Sequence, residues 1–70
     1  MKMEKVILNV NGMSCSHCVN AVTKAVSALD GVSEVVVNLE GKTVTVDYDA
    51  SKVTIDNIKF EIDDQGYEVV

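Results

Sequence analysis

Cys15 and Cys18 close the segment Gly12-Met13-Ser14-Cys15-Ser16-His17-Cys18, with two residues between them. Two thiolates at this spacing can turn toward one ion, Cys15 from a loop and Cys18 from the first turn of a helix. Soft sulfur ligands select Cu(I), zinc and other thiophilic metals over magnesium or calcium. A closed structural zinc site takes four protein ligands, and the chain holds two cysteines and one histidine, His17. Two thiolates with open coordination suit Cu(I), which tolerates low coordination number and stays exchangeable. A helix N-terminus nearby carries partial positive charge and favours the thiolate, the ligating form. A lone CxxC also serves dithiol redox chemistry. Against that use, the chain has no tryptophan and no proline, where thioredoxin-like enzymes carry both around the motif.

Neighbouring residues have competing readings. Met13 offers a third sulfur or, pointing inward, a hydrophobic anchor for the base of the loop, and thioethers fill irregular gaps well. His17, between the cysteines, faces solvent or ligates. Tyr67 follows Gly66 in a loop that the chain order brings beside the cysteines, either as a packed aromatic or as a lid over the ion. The run Asp47-Tyr48-Asp49-Ala50-Ser51 has the acidic look of a calcium loop. It lacks the glycine at the sixth position, and Ile58 occupies the place of the bidentate glutamate, so calcium is rejected.

The elements that must position the motif follow from periodicity. Val6, Leu8 and Val10 alternate with Lys5, Ile7 and Asn9, a half-buried strand broken at residues 11–14. Over about residues 16–29 the period lengthens: Cys18, Val22, Ala25 and Leu29 share one helical face, with Asn20, Thr23, Lys24 and Ser27 opposite. Gly31 suits the left-handed position beyond that helix. Val35, Val37 and Leu39 make a second strand and Val44, Val46 and Tyr48 a third. Glu40-Gly41 is the turn between them, with Gly41 free to take positive φ. Thr54 caps a second helix whose buried stripe is Ile55, Ile58 and Ile62. Gly66 closes it, residues 67–70 form the last strand, and Phe60 falls on the outer side.

The order β-α-β-β-α-β, with strands that alternate, leaves one sheet face wet and puts both helices on the other. Right-handed crossovers then favour an α+β, ferredoxin-like sandwich with a four-stranded antiparallel sheet. Seventy residues make one domain, residues 1–70, without room for a catalytic domain or a large cofactor pocket. The net charge of −5 opposes nucleic-acid binding and docking on anionic lipid. No signal-peptide core or membrane-length apolar run is present, so a cytoplasmic, reducing location is expected, where paired cysteines do metal or redox chemistry.

Gly12 to Cys18 resembles the GMxCxxC signature of heavy-metal-associated domains. Asp30-Gly31-Val32 resembles the family's "xGV" turn and Asp63-Asp64-Gln65-Gly66-Tyr67 its "EDxGY" ending. The resemblance runs along essentially the whole chain and is nearest to bacterial copper chaperones of the CopZ type. It implies the ferredoxin-like fold, Cys15 and Cys18 as ligands to Cu(I), supporting positions for Met13 and Tyr67, and no enzymatic activity. It further implies delivery to the metal-binding domain of a copper-transporting P-type ATPase, from a monomer when apo, with a copper-bridged pair left open. Zinc- and lead-type relatives often carry an acidic residue before the first cysteine, where this chain has Ser14. Glu61 stands where relatives often have alanine and is expected at a helix edge. The alternatives are the same module as an amino-terminal domain of such an ATPase and, in another class, a small dithiol oxidoreductase. The initiating Met1 and the end after the fourth strand favour the stand-alone form.

Overall fold

A computed structural model describes residues 2–13 and 16–70; Met1, Ser14 and Cys15 lie outside the described residues. The elements follow the expected order: β1 (Met3–Asn11), α1 (Ser16–Ser27), β2 (Val32–Asn38), β3 (Thr43–Asp49), α2 (Ile55–Asp64) and β4 (Glu68–Val69). The strands form one antiparallel sheet in the order β2-β3-β1-β4. This is the ferredoxin-like arrangement, in which the first and third strands are central and each helix crosses between non-neighbouring strands.

Alternation decides the two faces. Leu8 and Val10 of β1, and Val44, Val46 and Tyr48 of β3, are buried against Val22 and Val26 of α1 and Ile58 and Ile62 of α2. Val35 and Val37 of β2 and Val69 of β4 border the same core. Ile7 pairs with Thr45, which pairs with Val36. Ile7 and Val36 stand 63% and 53% exposed on the open face.

Several details differ from the sequence reading: α1 ends at Ser27 rather than near Leu29, β2 ends at Asn38 and leaves Leu39 in the turn, and β4 spans only Glu68–Val69. The buried stripe of α1 centres on Val22 and Val26, with Cys18, Ala25 and Leu29 only half-buried. At 3.6 residues per turn this rotates the helix by about 50° from the predicted face. Ile55 is exposed, because it opens α2 at the edge of the Ile58/Ile62 stripe, where its side chain leans back past the helix end. In the β2–β3 turn, Lys42 rather than Gly41 takes positive φ, at 55°. The turn is held from the Asn38 side chain, whose Oδ1 accepts the Gly41 N–H at 3.0 Å, and the left-handed position falls one residue later.

Other expectations match. Thr54 caps α2, its hydroxyl accepting the Asn57 N–H at 3.2 Å. Gly31 has a positive φ of 103°, though in the turn beyond Ala28 and Leu29 rather than directly after α1. Glu61 is half-buried at the helix flank.

Candidate metal-binding site

The motif occupies the passage from β1 to α1. Gly12 has φ 101°, a conformation that bends the chain out of the strand and that side chains with a Cβ rarely adopt. Met13 is buried within the main core, 6% exposed. Its side chain pins the start of the loop from below. Ser14 and Cys15 lie outside the described residues, so the expected pairing of Cys15 with Cys18 is not part of this geometry. α1 begins at Ser16, so Cys18 is in its first turn, half-buried and packed against the core, while His17 is exposed. No acidic residue stands in the first turn of α1. The partial positive charge of the helix end is therefore not offset there by a carboxylate of the helix itself.

Tyr67 reaches this passage through the end of α2. Gln65 caps the helix, and Gly66 takes φ 94°. The Gly66 N–H bonds the Asp63 carbonyl at 2.9 Å and the Tyr67 N–H bonds the Ile62 carbonyl at 3.4 Å. This pair of bonds, spanning the last turn around a left-handed glycine, reverses the chain. β4 then pairs Val69 with Val10 and Glu68 with Asn11, which continues the register to Tyr67 opposite Gly12. A Cβ built on Gly12 would meet Tyr67 Cδ1 at 3.4 Å. The ring thus packs over the backbone of the motif's first residue, and the positive φ is what calls for glycine at Gly12. Tyr67 is itself half-buried.

The structure therefore brings Gly12, Met13, Cys18 and Tyr67 to one end of the sheet. Among the described residues, no group of three or more histidine, cysteine, aspartate or glutamate side chains converges as a metal cluster.

The acidic run rejected as a calcium loop has a structural use at the other end of the sheet. Asp49, paired with Met3 in the ladder, is a buried charged side chain. Its Oδ1 accepts the Ser51 hydroxyl at 2.6 Å, the Ser51 N–H at 3.0 Å and the Lys2 N–H at 3.2 Å. The Ser51 hydroxyl, then the Ser51 N–H, with a smaller part from the Lys2 N–H, hold its carboxyl down at about 2 against the opposing effect of burial. The Asp-x-Ser spacing is a turn signal that can be read from sequence; the tie to Lys2 cannot.

The heavy-metal-associated domain family matches residues 7–68, and this chain belongs to that family. It is 53% identical over 68 residues to the copper chaperone CopZ of Staphylococcus aureus (strain bovine RF122 / ET3-1), spanning 97% of this chain and all of that protein. The solved structure of a CopZ metallochaperone superposes with a TM-score of 0.95 at 52% identity, covering 96% of this chain and 100% of the other. A copper-binding domain from a P-type ATPase superposes with a TM-score of 0.91 at 35% identity, covering 94% and 89%.

Proposed function

We propose that the chain is a cytoplasmic Cu(I) metallochaperone, not an enzyme, that carries copper between Cys15 and Cys18 and delivers it to a copper-transporting P-type ATPase. The observation that carries this reading is its similarity, over nearly its whole length and the whole of the relative, to a copper chaperone. No helix among the described residues is long and apolar enough to cross a membrane.

Hand-over by thiolate exchange follows from the donor set. A thiolate of the acceptor adds to the sulfur-bound ion and forms a new Cu–S bond. One Cu–S bond to this chain then breaks, and a second exchange with the acceptor's other thiolate breaks the remaining one; each departing sulfur takes up a proton, matching the one an acceptor thiol gave up on becoming a thiolate. Copper stays Cu(I) throughout, so no oxidant or reductant is needed. Each step changes one bond, which keeps the barrier low while affinity remains high. The similarity to an ATPase copper-binding domain supports an acceptor built like the donor, so that neither holds the ion by a large margin.

Competition titration of Cu(I) against a chromophoric chelator, under anaerobic conditions, tests the reading. One ion per monomer is expected, and Cys15→Ser and Cys18→Ser should each weaken binding by at least about a hundredfold with the fold intact. Tight binding retained by both single variants would overturn the site. Turnover of a disulfide substrate by rigorously metal-free protein would instead favour a dithiol oxidoreductase.

A further inference from the structure

Between α2 and β4 runs a groove of about 250 Å³ lined by Asp56, Lys59, Phe60, Asp63, Glu68 and Val69. Asp56, Lys59, Phe60 and Asp63 repeat at helical spacing along the side of α2 that faces away from buried Ile58 and Ile62. Phe60 is 65% exposed, and Val69 forms part of the opposite wall. The rim carries three carboxylates against one ammonium group. Its ends are not equivalent. Asp63 stands in the last turn of α2 and Glu68 directly follows Tyr67, the residue that covers Gly12 of the motif. One end of the groove therefore lies next to Tyr67, at the end of the sheet where the motif begins.

We propose that this groove is the docking surface for the copper-accepting domain, and that it receives an apolar side chain of that domain surrounded by lysines or arginines. The proposal rests on the hand-over reading and names the surface that serves it. Charge complementarity selects the occupant: a net acidic rim repels acidic surfaces and speeds the approach of basic ones. Phenylalanine is among the residues enriched at protein–protein interfaces relative to the rest of the surface. Docking beside Tyr67 brings the acceptor's thiols to the cysteines in the same encounter.

Two readouts test the groove separately from the function. The first is amide chemical-shift mapping of the ¹⁵N-labelled chain, apo and copper-loaded, titrated with a purified metal-binding domain of a copper-transporting P-type ATPase. Shifts are expected across residues 56–63 and at Glu68 and Val69; shifts confined to the open sheet face would overturn the proposal. The second is stopped-flow copper transfer to that domain and to a small chelator. Phe60→Ala, and separately the combined Asp56→Asn, Asp63→Asn and Glu68→Gln variant, should slow transfer to the domain by about tenfold. The charge variant should also lose most of its salt dependence, and transfer to the chelator should be unchanged in both. Wild-type rates and wild-type salt dependence in both variants would refute the groove. Failure of the wild-type chain to move copper to either acceptor would refute the hand-over reading, and the apo shift map would still judge the surface.

Discussion

Replacing Met13 by alanine separates a core anchor from a metal ligand. Met13 is 6% exposed and belongs to the same core as Val10, Val22 and Ile62. Truncation removes the whole thioether and leaves a void that the rigid strand end above it can close only in part. Such deletions cost about 2–4 kcal/mol. A chain of this length is stable by about 4–10 kcal/mol in total, so the loss is a large share, equivalent to a fall in Tm of about 10–25 °C. Met13→Leu keeps the volume and should cost less than about 1.5 kcal/mol. Urea denaturation of the reduced apo protein, followed by circular dichroism, measures both. Cu(I) affinity of the leucine variant supplies the other half of the test, and it should stay within a few-fold of wild type. A cost below about 0.5 kcal/mol for alanine would refute the packing argument. A leucine variant that keeps its stability but binds Cu(I) more than tenfold weaker, or a thioether seen at copper by X-ray absorption, would make the sulfur a ligand.

The remaining predictions concern the two ends of the sheet. Tyr67→Ala should speed loss of copper to a chelator without changing the one-to-one stoichiometry. Tyr67→Phe should behave nearly as wild type if the ring over Gly12 is the shield; identical stopped-flow rates in all three proteins would leave Tyr67 as packing alone. The carboxyl of Asp49, held at about 2 against an ordinary 3.8, contributes stability that is complete above the ordinary value and is lost as pH falls from about 4 toward 2. Ser51→Ala removes its leading donor, so the variant should lose less stability than wild type across that interval while being less stable at pH 7. Parallel denaturation curves from pH 6 to pH 2, with equal slopes for the two proteins, would contradict this. Copper affinity should be unaffected by Ser51→Ala, since the residue lies at the end of the sheet remote from the motif.

Periodicity made the fold legible because each strand alternates and each helix carries apolar residues at spacings of three and four. The inward set Leu8, Val10, Val44, Val46 and Tyr48 could be written from sequence, as could the cap at Thr54 and the reversal at Gly66. These are local properties: a hydroxyl before a helix and a glycine after one act within a few residues of themselves. The candidate ligands were legible for the same reason, since Cys15 and Cys18 are neighbours along the chain. What a helix faces depends on its neighbours, so only the tertiary structure placed Val26 in the core and turned Ile55 out of it. The same holds wherever distant segments meet. Asp49 reads as one more surface carboxylate until the pairing of β1 with β3 sets it beside the Lys2 N–H. Tyr67 reads as an aromatic after a glycine until the register of β4 on β1 lays it over Gly12. Phe60 and Val69 become two walls of one groove only when the last strand returns to the edge of the sheet, because that closure joins surfaces no local pattern connects.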